Sequence, residues 1–496
     1  MKDADEFRNS YVSYDGVWIH LRPDGAFISD ELSVPIAAGN RNRMVSKKTA
    51  DGQIRQSSFL NRSASRIARY MDGQHTVDDI VRTVLEELDA SREHGDSICD
   101  FIKAEVAKDL ATLHPSPRQA DLRLTGSTEH YHPVQIAIEM THRCNCACRH
   151  CYLEAGGERE RPGELSGDAI IGMLSELIDR GACAFEVTGG EALMHPDFWD
   201  VYEYLASQKV LTVVLTNGLL VTEEVAERLG AIESGGIQVS LDGPTAEVHD
   251  YLRQQPGCFD AATRAIRLFA EKTDLSVRVA MSIYRRNFDL LEETVQLARE
   301  LGATQFVSQP VTNNGRAFEE GDRLALAPLE AWCAYESVNA LFEEHGPEFF
   351  GHKPPKHASL VLTRYLGNCG MASMSVAIDP YGEVRPCLMS PPALGFGNLI
   401  RESYDEVFSR SGRLAKLPYL GGVECSECPS IPTCGSCVLK GIEAYCRMRE
   451  KGFETCRWGK VHKVSELLDE LGWDMGAFAT AGCTSTVCAG QEGFAL

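Results

Sequence analysis

The 496-residue sequence contains no run of about 18 uninterrupted apolar residues, the length needed to span a bilayer as a helix. Its opening residues, MKDADEFRNS, lack a basic segment followed by an apolar one, so no secretion signal is expected and the chain is placed in the cytosol. Positive charge is also scarce. With 49 Lys and Arg against 71 Asp and Glu, the net charge is −22, and no basic surface is expected to displace counterions from a phosphate backbone. Nucleic acid and membrane are therefore excluded as partners. What the chain has in abundance is cysteine, 18 in all. Cytosolic thiols are kept reduced, so these cysteines point to metal rather than to a disulfide framework.

The length suffices for about three domains at ~150 residues each. Cysteines crowd two regions, Cys144 to Cys151 and Cys369 to Cys456, whereas Cys99, Cys183, Cys258 and Cys333 stand alone and read as inert buried thiols.

Residues 1–115 begin with short alternating stretches such as Val17-Trp18-Ile19-His20-Leu21, followed by the turn signal Asp24-Gly25, so a small β-ribbon is expected. In LNRSASRIARYMDGQHTVDDIVRTVLEEL, Ile67 and Met71 recur at helical spacing, Asp72-Gly73 stops a first helix, and Thr76 with Asp79 caps a second. Ile80, Val81 and Leu85 form the inward face of that second helix. This ribbon plus helices resembles the peptide-recognition element of ribosomal-peptide maturases, typified by the pyrroloquinoline-quinone precursor chaperone. The resemblance implies a winged-helix-like α+β domain over 1–115 that binds the leader of a precursor peptide as an added strand. A DNA-binding winged helix is the plainer alternative, and the acidic charge opposes it.

The segment HPSPRQ at 114–119 reads as a linker, with a new domain from about residue 125. Strand-like runs then recur at Val134–Met140, Ala184–Thr188, Val210–Thr216, Ile237–Leu241, Ser276–Ser282 and Thr304–Gln309, separated mostly by amphipathic helices. One such helix aligns Ile170, Leu174, Leu177 and Ile178 before Gly181. Strand and helix alternation implies a parallel sheet. Six units are too few for a closed eight-stranded barrel, so the expected α/β fold over 120–345 is a curved, partly open barrel with chemistry at the C-terminal strand ends.

The sequence EMTHRCNCACRHCYLE follows the first strand and carries Cys144-x3-Cys148-x2-Cys151, with Cys146 as an extra thiol. Three closely spaced thiolates can hold three irons of one cubane and leave the fourth open to another ligand. A zinc knuckle fragment or an electron-transfer cluster would use the same residue types. The spacing matches the radical SAM signature, with His150 at the aromatic-like position. That resemblance implies that S-adenosylmethionine (SAM) chelates the open iron and is cleaved to a 5′-deoxyadenosyl radical, the hard chemistry belonging to the cofactors. It assigns Gly189, Gly190 and Glu191 to the methionyl amine of SAM and Ser240 to the ribose hydroxyls. On the residues alone, the paired glycines allow close backbone approach and Glu191 suits a cationic amine, while Ser240 could equally be a strand-end cap.

A second pattern runs Cys369-x12-Gly382-x4-Cys387, then Cys425-x2-Cys428-x5-Cys434-x2-Cys437, and on to Cys456. It resembles the SPASM extension of radical SAM peptide maturases, here spanning 346–462, which carries two auxiliary clusters with interleaved ligands. The resemblance implies three 4Fe-4S clusters in total. Cys425, Cys428, Cys434 and Cys456 would hold the farther auxiliary cluster, and Cys369, Cys387 and Cys437 the nearer one, with Cys446 competing with Cys456. The Cys434-x2-Cys437 spacing departs from the usual x3, and no cysteine lies shortly upstream of Cys369, so the nearer cluster could lack a fourth protein ligand. Paired CxxC units also suit structural zinc, but the gap between Cys428 and Cys434 is short for a ribbon. Residues 463–496 read as a helix and a flexible tail containing Cys483 and Cys488, either of which could complete the nearer cluster.

Together these features imply a maturase of a ribosomally made peptide, reduced by a flavodoxin- or ferredoxin-type donor and forming a thioether, carbon–carbon or carbon–oxygen cross-link. The alternatives are a SPASM enzyme acting on another protein residue or a small metabolite, and a noncatalytic iron–sulfur sensor or electron carrier.

Overall fold

The structure is a computed structural model. It describes residues 4–14, 17–21, 34–35, 56–60, 62–107, 111–120, 122–127, 129–156, 162–232, 235–311, 315–350, 370–390, 394–418, 425, 437–439, 441–442, 445–446 and 456–473. Cys369, Cys428, Cys434, Cys483, Cys488 and the Asp24-Gly25 turn lie outside the described residues. The chain divides into two compact units, the first made of Met1–Asn42, Asp51–Val134 and Leu174–Cys183, the second of the remainder.

The first unit contains α1 (Ala4–Arg8), β1 (Tyr11–Tyr14), β2 (Val17–Leu21), β3 (Val34–Pro35), β4 (Gln56–Leu60), α2 (Arg62–Ala68), β5 (Asp72–Thr76), α3 (Val77–Glu87), α4 (Gly95–Ala107), β6 (Ala111–His114) and β7 (Arg123–Gly126). Its antiparallel sheet, in the order β5-β1-β6, shares a core with the helices, built on Val12, Ile67, Met71, Ile80, Val84 and Ile102. The helix α3 starts where its sequence dictates. The Thr76 side chain accepts from the Asp79 N–H while the Asp79 carboxylate accepts from the Thr76 N–H, a reciprocal cap that satisfies two otherwise orphaned donors. The expected ribbon on Val17–Leu21 is corrected. Both edges of β2 are taken by parallel neighbours, β4 and β7, so β2 cannot be one arm of a hairpin. The 114–119 segment is irregular beyond His114, yet Arg118 N–H donates to Gly73 O (2.9 Å) and Ala120 N–H to Asp72 O (3.3 Å), strapping it along β5.

The second unit is built on β8 (Gln135–Glu139), α5 (Gly167–Asp179) as far as Met173, β9 (Ala184–Thr188), α6 (Phe198–Ser207), β10 (Leu211–Thr216), α7 (Glu223–Ala231), β11 (Gly235–Ser240), α8 (Ala246–Arg253), α9 (Cys258–Lys272), β12 (Ser276–Ile283), α10 (Leu291–Glu300) and β13 (Gln305–Pro310). Strands β8 to β13 lie side by side in sequence order, each parallel to the next, giving the six-stranded open barrel that the alternation of elements implies. Fully buried runs such as Ile136 to Ile138 explain why these strands read as apolar stretches rather than alternating ones.

After α11 (Arg316–Glu320) and α12 (Pro328–Phe350), β14 (Ser375–Ile378) pairs in parallel with β8, and β15 (Val384–Arg385) extends that edge antiparallel. The cysteine-rich region therefore continues the barrel sheet. Gly382 closes the β14-β15 turn at φ +83°, with Asp379 Oδ1 accepting from Tyr381 and Glu383 N–H. No described helix is long and apolar enough to cross a membrane.

Candidate functional site

Because β8 to β13 are parallel, their C-terminal ends open on one side, and the loops there converge. The loop after β8 carries Cys144, Cys148 and Cys151. Glu164 holds its start, its two oxygens accepting from Thr141 Oγ1 and His142 N–H at 2.7 Å each. Arg143 donates to Met194 O at 2.6 Å. Arg316 clamps the far end, donating to Cys148 O and Ala155 O at 2.8 Å each. These three anchors are absent from the sequence reading, since no motif marks them.

The Gly189-Gly190 pair sits against this loop. A Cβ on Gly190 would lie 2.2 Å from Arg143 O and 3.0 Å from Cys144 Cβ, and one on Gly189 would lie 2.5 Å from Thr141 O. Only glycine allows the β9 end to close on the cysteine loop, sealed by Gly190 N–H to Thr141 O (2.7 Å) and Glu191 N–H to Arg143 O (2.9 Å).

Glu191 is 1 % exposed, and its carboxylate accepts from Asn217 N–H at 2.8 Å and from Leu193 N–H at 3.5 Å. Burial pushes its pKa up to about 7 against the lowering by these donors. Ser240 is half-buried and ends β11 on the same side of the sheet.

Two of the candidate thiols receive N–H donors, one from the segment after β10 and one from the last residue of α8. Asn217 Nδ2 lies 3.9 Å from Cys144 Sγ, and Arg253 Nη1 lies 3.9 Å from Cys148 Sγ. Arg253 is itself held by Asp242, whose Oδ2 accepts from its Nε at 2.6 Å while Oδ1 accepts from Ser282 N–H at 2.8 Å. Burial pushes the Asp242 carboxyl upward, but Arg253 and then His249 outweigh it and hold the pKa down at about 2. His150 is half-buried, and its Nδ1 is enclosed without a hydrogen-bond partner. Burial, then the charge of Arg253, lowers its pKa to about 3, so the imidazole is neutral. Soft thiols, N–H donors aimed at sulfur, a glycine cradle and an unpartnered buried ring nitrogen together fit an iron–sulfur cluster with an added ligand.

The C-terminal cysteines are only partly in view. Cys387 follows β15 and is half-buried, receiving a hydrogen bond from Ser390 Oγ at 3.5 Å. Arg385, two residues earlier and fully buried, pairs with Glu139 at the end of β8 and donates to Ser390 O at 2.5 Å. That ion pair ties the Cys387 loop to the root of the Cys144 loop. Cys425 and Cys446 are buried, Cys437 is exposed, and half-buried Cys456 accepts from Gly459 N–H at 3.4 Å at the start of a short helix, α13 (Arg457–Val461). The expected terminal helix follows as α14 (Val464–Leu471).

Family models match twice. The radical SAM superfamily model covers residues 138–303, and the SPASM iron–sulfur cluster-binding domain model covers 369–438. The antilisterial bacteriocin subtilosin biosynthesis protein AlbA of Bacillus subtilis is 30 % identical over 417 residues, covering 82 % of this chain and 90 % of AlbA. The chain belongs to the radical SAM enzymes that carry a SPASM domain. This radical SAM enzyme is also 33 % identical over 319 residues to the mycofactocin maturase MftC of Mycobacterium tuberculosis, covering 62 % of the chain and 78 % of MftC. Its fold matches Streptococcus suis SuiB, crystallised with S-adenosylmethionine, at a TM-score of 0.55 and 14 % identity, over 77 % of this chain and 90 % of SuiB. A radical SAM domain implies a 4Fe-4S cluster and SAM, and the SPASM domain implies further iron–sulfur centres.

Proposed function

We propose that this enzyme modifies a ribosomally synthesised precursor peptide, forming a thioether or a carbon–carbon or carbon–oxygen cross-link. The observation that carries this reading is the kinship with AlbA, 30 % identical over nine-tenths of that biosynthesis protein's length and 82 % of this chain. The first unit, whose β5-β1-β6 sheet and capped α3 suit a recognition domain, is assigned to leader binding. Its functional boundary is drawn at about residue 115, the barrel at 120–345, and the SPASM region at 346–462 followed by the helix and tail. The reaction is placed in the cytosol, with a flavodoxin- or ferredoxin-type protein as electron donor.

Cys144, Cys148 and Cys151 would hold the SAM-binding cluster. Cys369, Cys387 and Cys437 would hold one auxiliary cluster, and Cys425, Cys428, Cys434 and Cys456 the other, three in all. When bound, the cluster and SAM supply the 5′-deoxyadenosyl radical that removes a hydrogen atom from an unactivated C–H bond.

The protein's own contribution is placement and electrostatics. Asn217 and Arg253 donate N–H groups to Cys144 and Cys148, stabilising charge on the two sulfurs. Gly189 and Gly190 bring backbone against the loop without a side chain in the way. Glu191 braces the β9 and β10 ends through Asn217 N–H, and a SAM ammonium placed against it would favour its ionised form. His150 presents a neutral ring nitrogen to the site. Ser240, at the β11 end, is assigned to the ribose.

The test is mass spectrometry of a precursor peptide encoded beside this gene, incubated with reduced enzyme and SAM, with and without its leader. Loss of two hydrogens per cross-link, dependent on the leader, is expected. Stoichiometric 5′-deoxyadenosine with no mass change in any such peptide would refute the peptide reading, and a Cys144→Ala/Cys148→Ala/Cys151→Ala enzyme that still made 5′-deoxyadenosine would refute the cluster assignment.

A further inference from the structure

Cys258 reads from sequence as an isolated, inert thiol, but the fold brings it to the cluster loop. Its Sγ lies 4.0 Å from that of Cys146, a residue 112 positions away, and both are buried, at 0 % and 3 % exposure. Neither belongs to the three-cysteine set. The two partners are mounted differently. Cys258 is the first residue of the 15-residue helix α9, beside His249, whereas Cys146 sits in the irregular stretch between Cys144 and Cys148. A disulfide has an S–S length of about 2.05 Å, so closure asks for about 2 Å of movement, which the loop side can supply more readily than the helix.

We propose that Cys146 and Cys258 are a peroxide-sensitive dithiol that closes to a disulfide when the cluster loop is empty, latching the loop in a form that cannot take up iron. Cys258 is the attacking sulfur. It is fixed on the first turn of α9 with its Sγ 4.0 Å from that of Cys146, so the loop thiol is the one that swings onto it once it is oxidised. Its sulfur attacks hydrogen peroxide, the O–O bond breaks, and the departing hydroxide takes up a proton as water, leaving a Cys258 sulfenic acid. The Cys146 thiol then attacks that sulfur, the S–O bond breaks, and a second water leaves with the Cys146 proton. Two thiols have given two electrons to one peroxide, and an added dithiol reverses the step by exchange.

Iron uptake is blocked for a geometric reason. The Cys146 N–H donates to Cys144 Sγ at 3.4 Å, and Cys146 is only two residues from each of Cys144 and Cys148. Drawing Cys146 toward α9 pulls these two sulfurs out of the arrangement that a cubane needs. The consequence rests on Cys144, Cys148 and Cys151 being the cluster ligands; the disulfide itself does not.

The test uses the full chain, stripped of its clusters by chelation and kept reduced, then treated with one equivalent of hydrogen peroxide, alkylated under denaturing conditions and digested with trypsin. A peptide pair 144–149 with 254–264, two hydrogens lighter than its parts, is expected, with tandem spectra placing the link at Cys146. Iron bound on reconstitution should fall several-fold and recover after dithiothreitol. Cys258→Ser should give no linked pair and keep its iron uptake after peroxide, with untreated Cys258→Ser as the control for folding. Both thiols found alkylated, a link from Cys144 or Cys148 instead, or equal loss of iron uptake in Cys258→Ser would each overturn the proposal. Because the mapping needs neither SAM nor peptide, its failure is distinct from failure of the peptide-maturase reading.

Discussion

Replacing Arg253 with methionine removes a cation from a pocket in which Asp242 has no exposed surface. The partner left behind would be a buried carboxylate that keeps one backbone donor, Ser282 N–H, with the His249 ring 3.7 Å away, its Nδ1 accepting from the Asp242 N–H. Breaking a buried charge pair by deleting one member costs about 3–5 kcal/mol. At about 1.4 kcal/mol per factor of ten, local opening at this site should become about a hundred- to several-thousand-fold more frequent. The Ser282 amide, which donates to Asp242 Oδ1 at 2.8 Å, is the natural reporter, read by hydrogen exchange on a peptide spanning 276–290 in the holoenzyme.

The pH dependence of that effect has a definite sign. In the native protein the Asp242 pKa stands near 2, below its ordinary 3.8, so its contribution is present above pH 3.8 and is lost only as pH falls through about 2. Without Arg253, burial becomes the dominant influence and raises the carboxyl, so the variant should lose protection as pH rises from 5 to 8. Asp242→Asn/Arg253→Met, which deletes both charges, should be less damaged than Arg253→Met alone. Unchanged Ser282 protection in Arg253→Met, or a double variant as damaged as the sum of the singles, would refute the clamp.

Gly190→Ala places a Cβ 2.2 Å from Arg143 O, and since that oxygen belongs to the backbone it cannot swing aside. Bound iron and 5′-deoxyadenosine formation should both drop at least tenfold while far-ultraviolet circular dichroism is retained; normal iron content would show that the loop has room. Glu191, with its pKa raised from 4.5 to about 7, costs stability as pH rises through that interval, about 3 kcal/mol in full. Glu191→Gln removes the titration, so in the cluster-free protein the gap in melting temperature between variant and native enzyme should widen in the variant's favour from pH 5 to pH 8. Parallel pH profiles would contradict the assignment. If Glu191 also meets the SAM ammonium, the Gln variant should bind SAM more weakly in equilibrium dialysis.

The parts legible in the sequence are those set by local chemistry. The six barrel strands fall within two residues of their apolar runs at every end, because parallel strands buried on both faces leave an uninterrupted signal. The Thr76 and Asp79 cap was legible for the same reason, since it is completed within four residues. The pairing of β2 was not. An apolar alternating run identifies a strand but says nothing about its neighbours, and the Asp24-Gly25 pair suggested a hairpin where the chain instead takes two parallel partners.

What stayed hidden in the site is long-range. Arg253 to Cys148, Cys258 to Cys146 and Arg385 to Glu139 join residues 105, 112 and 246 positions apart, and none carries a motif. A cluster motif specifies which atoms bind iron; the residues that set the field around those atoms are free to come from any segment that the fold returns to the same place. In this chain they come mainly from β10, β11 and α8, whose ends face the loop because the sheet is parallel, and from β15, which reaches it because β14 adds beside β8. The addition of β14 is therefore more than an extension of the sheet. By bringing Arg385 to Glu139 it fixes the Cys387 loop, beside the β14-β8 ladder, to the strand from which the Cys144 loop departs.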